Sequence, residues 1–99
     1  LVIMIYNQAG KKLLRNKVEF FIRQKKIPEA NELMNELLAS VTESQQGIQE
    51  LWMEKAKLCL SLQKWDEACK YLNKLIERTP RDLEARKLKD FCMKQVRMS

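Results

Sequence analysis

The stretch WMEKAKLCLSLQKWDEACKYLNKLIERTP, Trp52–Pro80, decides the fold. Its apolar residues recur at steps of three and four, the spacing of one helix face. Leu51, Trp52, Ala56, Cys59 and Leu60 share one side of a helix running from about Ile48 to Leu62. Gln63-Lys64 makes a short break. A second helix follows, with Ala68, Leu72, Leu75 and Ile76 on its stripe and Asp66 as the expected cap. Thr79-Pro80 stops it, because proline has no amide hydrogen to donate and restricts the residue before it. Ala56 and Ala68 are small enough to let two antiparallel helices approach closely. Trp52, Leu72 and Leu75 fill the remaining space.

The helical period extends to both sides. Leu14, Val18, Phe21 and Ile22 mark a first helix. Pro28, pre-set for a first helical turn, opens a second bearing Ala30, Leu33, Met34, Leu37, Leu38 and Val41. Thr42–Gly47 is the most polar stretch and reads as a loop. Beyond Pro80 a fifth helix, from about Arg81 to Arg97, holds Leu83, Leu88, Phe91, Cys92 and Val96. The expected organisation is an apolar lead-in at 1–10, a helix pair with its exit loop at 11–47, a second pair at 48–80 and a last helix at 81–99. The two pairs are related by an internal repeat at an offset of 38. Leu13/Leu51, Lys17/Lys55, Lys26/Lys64, Glu29/Glu67, Ala30/Ala68, Asn35/Asn73 and Leu37/Leu75 are identical. A period of this size belongs to helical solenoids, in which one pair cannot bury its apolar face alone.

Composition removes most chemistry. The chain has 99 residues, no histidine, and 19 Lys+Arg against 13 Asp+Glu, for a net charge of +6. Without histidine, Ser-His-Asp and Cys-His catalysis and most zinc sites are gone. Gly10 and Gly47, the two glycines, cannot build a phosphate-cradling loop. Cys59, Cys69 and Cys92 are odd in number and form no C-x-x-C, so neither a disulfide framework nor a metal site is expected. They are read as small core or surface residues in a reducing compartment, the cytoplasm or nucleus. Glu29, Glu32 and Glu36 line one helix face and read as solvated; Asp66-Glu67 is an acid pair in name only. The expectation is a non-enzymatic protein with no catalytic residues, metal or cofactor. The apolar start, Leu1–Tyr6, is far shorter than the roughly 20 residues that span a bilayer, so no membrane is expected. It reads as the end of a preceding helix in a longer chain, or as a contact for self-association.

The second pair resembles a tetratricopeptide repeat. That family's pattern is Trp, two residues, Leu-Gly, two residues, Tyr, then Ala, an aromatic and Pro. Here the matching positions are Trp52, Lys55-Ala56, Cys59, Ala68, Leu72, Leu75 and Pro80, with Trp65 where the family often has an aromatic between its helices. Lys55 stands where Leu is usual and Cys59 where Tyr is usual, so the chain resembles a divergent member. The first pair matches through Leu14, Val18, Phe21, Ala30, Met34 and Leu37, with no terminal proline. The last helix looks like the solvating helix that ends such arrays. The resemblance, over about residues 11–97, implies an all-α fold of five helices: antiparallel helix-turn-helix repeats in a right-handed solenoid.

It also implies a use, as an adaptor or scaffold segment. In this family the first helix of each pair lines a concave groove that binds peptides or partner helices. Carried over residue by residue, that groove shows Lys12, Arg15, Glu19, Ile22 and Arg23, then Met53, Lys57, Leu60 and Ser61, then Lys87 and Phe91. The partner-binding candidates are therefore Lys12, Arg15, Arg23, Met53, Lys57, Leu60, Lys87 and Phe91. The surface is basic with an apolar strip, suited to an acidic, amphipathic helix or peptide of a partner protein. A clamp for the C-terminal carboxylate of chaperones is not expected. Its matching positions are Arg15, Glu19, Glu54, Glu84 and Leu88, and the glutamates would repel a carboxylate. Residues 11–26 carry seven Lys/Arg and one Glu, whereas 27–50 carry five Glu and no Lys/Arg. The basic first helix sustains an alternative reading of weak, salt-dependent, non-specific nucleic-acid contact.

Overall fold

A computed structural model describes the backbone of residues 2–98 except 43 and 45, and the side chains of residues 13–98 with the same exceptions. Among the described residues there are five helices and no strand: α1 (Val2–Arg23), α2 (Ile27–Ala39), α3 (Ile48–Ser61), α4 (Trp65–Arg78) and α5 (Leu83–Met98). They fall into two units, residues 1–45 and 46–99. In the first, α1 packs on α2; in the second, α4 packs on both α3 and α5.

The repeat at 38 is written into the backbone of both inter-helix turns. Lys25 and Gln63 each sit in the left-handed region at φ 60°. Lys26 N–H donates to Phe21 O at 2.8 Å, and Lys64 N–H to Cys59 O at 2.8 Å. Lys25 N–H donates to Ile22 O at 3.0 Å, and Gln63 N–H to Leu60 O at 3.1 Å. This pairing of a six-to-one with a five-to-two bond is a Schellman motif, which satisfies the last carbonyls of the leading helix. The residue that closes it then precedes the next helix at matching dihedrals, φ −93° and ψ 68° at Lys26 and φ −91° and ψ 73° at Lys64. Glycine is the usual left-handed residue of this motif, and a side chain there is strained. Gln63→Gly is expected to stabilise by about 0.5–1 kcal/mol, and Gln63→Val to cost about 1–2 kcal/mol. Thermal unfolding followed by circular dichroism checks both, and equal melting temperatures would contradict the turn geometry.

The buried positions repeat as well. Val18, Ala30, Met34 and Leu37 in the first unit correspond to Ala56, Ala68, Leu72 and Leu75 in the second, all at 3% exposure or less. The expected stripes of α2, α3 and α4 therefore supply most of the cores, whereas Leu83, Phe91 and Val96 of the α5 stripe and Ile22 of the α1 stripe are exposed. Ile48, Leu51, Trp52, Leu58 and Cys59 of α3 and Ala85 and Cys92 of α5 are the other buried apolar residues of the second unit.

Three boundaries differ from the sequence reading. The lead-in is not separate from the first helix: α1 begins at Val2 and runs through residues 2–10 into the following turns. Asp66 does not cap α4. The helix starts one residue earlier, at Trp65, and its cap position is Lys64 with no side-chain hydrogen bond. Asp66 and Glu67 instead place negative charge in the first turn, where it complements the helix dipole. Finally, α5 begins at Leu83 and not at Arg81, because Asp82 Oδ1 accepts the Ala85 amide at 3.1 Å and fixes the start of the helix. Gly47, at φ 85°, leads into α3 from the 42–47 loop.

Candidate partner-binding face

Within the second unit, five of the eight candidate residues lie on two helices joined by one ion pair. Met53, Lys57 and Leu60 are spaced by four and three on α3, so they share a face. Glu84, Lys87 and Phe91 are spaced by three and four on α5 and share another. Lys57 Nζ meets Glu84 Oε1 at 2.8 Å and brings these faces together. Both side chains are more than half exposed, so the pair contributes only ~0–1 kcal/mol. Its effect is to position, and it also matches the Lys57 charge. Lys87, exposed one turn further along α5, keeps the face basic. Met53 and Leu60 are half-buried and present partial apolar edges.

Phe91 is 48% exposed. Its ring stands edge-on to Trp65, with centroids 5.9 Å apart and planes at 80°. This geometry favours aromatic pairs and holds Phe91 in place while leaving much of it in water. Val96 and residues 63–67 border a shallow cleft of about 440 Å³ beside the same aromatic pair. Sequence reasoning placed Trp65 between two helices but did not pair it with Phe91, 26 positions away, and gave Glu84 no part in holding Lys57.

The remaining candidates lie in the first unit. Arg15 is half-buried on α1, and Arg23 is exposed at the end of that helix. The side chains of Lys12 and of the Leu1–Tyr6 stretch lie outside the described residues. The row Glu29, Glu32 and Glu36 is exposed on α2, as its spacing implied.

Lys55, the departure from the family pattern, is fully buried. Its Nζ lies 3.4 Å from Glu67 Oε1 and 6.0 Å from the centre of the Tyr71 ring. Across the same helix pair, Lys74 and Arg78 lie over the Trp52 ring at 5.4 and 5.0 Å, so their stems and charges cover the edge of the core.

Two titrating groups of the second unit, the Cys59 thiol and the Tyr71 phenol, are held toward their protonated forms. Burial pushes the Cys59 thiol above its ordinary value; Lys55 opposes this and Glu67 adds to it. Burial likewise raises the Tyr71 phenol, with Glu67 reinforcing it. A thiol held protonated is a poor nucleophile at neutral pH. Among the described residues, no group of Cys, Asp and Glu could hold a metal ion, and no helix is long and apolar enough to cross a membrane.

Two-helix units with a recurring turn and matching buried positions define a helical-repeat protein. Residues 49–89, covering α3, α4 and the start of α5, match the family described as tetratricopeptide repeat. That match supports a tetratricopeptide-type repeat protein, and the five helices fit two repeats and a capping helix. No curated protein matches the chain.

Proposed function

We propose that this chain is a protein-interaction module whose α3–α5 face accepts an acidic, amphipathic segment of a partner protein. The observation that carries the reading is the Lys57–Glu84 contact, which joins Met53 and Leu60 on α3 to Lys87 and Phe91 on α5. Phe91, edge-stacked and half exposed, is the anchor; it is an aromatic already held in one orientation and gives area at low entropic cost. Lys87 supplies attraction for a carboxylate-bearing helix, and Lys57, paired with Glu84, sets the relation of the two faces. In the first unit, Arg15, Arg23 and Lys12 are the basic candidates on α1. The setting is an adaptor or scaffold segment inside an assembly in a reducing compartment.

The test is affinity purification from native lysate with the full chain as bait, run beside a Lys57→Glu/Lys87→Glu variant, with nuclease in both. A protein bound by the wild type and weakened more than about tenfold by the variant supports the reading, since rim charges of this kind set steering and register. Equal retention by both would remove this face from the contact. Recovery only without nuclease, lost steeply with salt, would favour the nucleic-acid alternative.

A further inference from the structure

Cys69 and Cys92 meet where α5 packs on α4. Cys92 is fully buried, and its Sγ–H donates to the Trp65 carbonyl oxygen at 2.8 Å. In an α-helix that carbonyl also accepts the amide of the residue four positions on, here Cys69. The Cys92 sulfur therefore lies against the first turn of α4, at the height of Cys69. Cys69 is the nearest titrating neighbour acting on the Cys92 thiol and is itself only half-buried. Cys59, the third thiol, is buried on α3 with Lys55 and Glu67 as its charged neighbours and takes no part.

We propose that Cys69 and Cys92 are an oxidative modification site, closing into a reversible disulfide that staples α5 to α4 when the chain meets a peroxide. The Cys69 thiolate attacks a peroxide oxygen; an S–O bond forms, the O–O bond breaks, and the departing hydroxide takes up a proton as water. The Cys92 sulfur then attacks the Cys69 sulfenic acid. The S–S bond forms, the S–O bond breaks, and the hydroxyl leaves as a second water with the Cys92 proton. Two thiols lose two electrons, and the peroxide gains them.

Position sets the order. Cys69 is the sulfur that solvent reaches. Cys92 is the resolving thiol: it is buried, and burial with Cys69 beside it pushes it up to about 12, so Cys69 is the sulfur oxidised first. A small-molecule dithiol reverses the bond by exchange at the exposed sulfur. Phe91, next to Cys92, and Lys87, a turn earlier, ride on the stapled helix.

The experiment treats the full chain with hydrogen peroxide and digests it with trypsin without reduction. The expected product joins peptides 65–70 and 90–94, lighter than their sum by two hydrogens, in a chain that stays monomeric. Dithiothreitol is expected to abolish the link and to reverse an accompanying rise in melting temperature. Cys59→Ser should keep the link and Cys69→Ser should remove it. Cys69 oxidised alone to sulfinic acid, Cys69 pairing between chains, or both thiols left free under peroxide would each overturn the proposal.

Discussion

Leu72→Ala is expected to cost about 3–4 kcal/mol, the range for deleting a fully buried leucine whose surroundings cannot collapse. Leu72 has no exposed surface and sits on α4, the helix that packs on both its neighbours in the second unit. The cavity therefore opens in the middle of the unit and not at its edge. Against the roughly 5–15 kcal/mol of total stability that a small domain has, this is a severe loss. Urea denaturation should show a lower midpoint with an unchanged slope. Leu83→Ala, at a position 69% exposed, is the matched control and should stay within about 0.5 kcal/mol of wild type. A small loss at Leu72 would mean that α4 is not the centre of the unit.

The buried lysine yields the second large effect, with opposite signs for its two partners. Lys55→Leu restores the residue that the family pattern has at this position. It is expected to be neutral or to stabilise by about 1–2 kcal/mol, because a buried ammonium has lost its hydration and the pair barely offsets that cost. The partner tolerates the change, since the Glu67 side chain is 37% exposed and its freed carboxylate returns to water. Glu67→Ala is different: it removes a carboxylate 3.4 Å from an ammonium at 0% exposure and should cost about 1–3 kcal/mol. Urea midpoints of both variants decide the matter. A loss on Lys55→Leu as large as that on Glu67→Ala would show that the ion pair is a net source of stability.

Much of the fold could be read from residue spacing. The stripes on α2, α3 and α4 are local patterns, and the buried set falls on them: Met34 and Leu37, Leu51 and Cys59, Leu72 and Leu75. The repeat of 38 was legible from seven identities, and both turns follow it. What escaped was either a cap or a contact between helices. Asp66 and Asp82 are the same residue type in similar surroundings, and only Asp82 falls where its oxygen reaches the third amide of a helix. Residues 2–10 have no apolar period strong enough to announce that α1 runs through them. Lys57–Glu84 spans 27 positions and Trp65–Phe91 spans 26, so no local spacing signals either pair. A buried lysine is harder still to foresee. Its burial depends on Glu67 and Tyr71 arriving from the next helix, and the family pattern could only mark Lys55 as a departure.

The twin turns also govern where this chain tolerates a change of length. In each, three successive residues carry a fixed set of amide bonds, and the left-handed residue falls on one position alone. An added residue at 24–26 or 62–64 would shift that conformation onto a neighbour and rotate the following helix by about 100°, one residue's share of a turn, moving its apolar stripe off the core. The polar stretch from Thr42 to Gly47 lies outside both joints. Changes of length are expected to be best tolerated there, and this is where a period of 38 could grow out of the family's 34 without disturbing either helical joint.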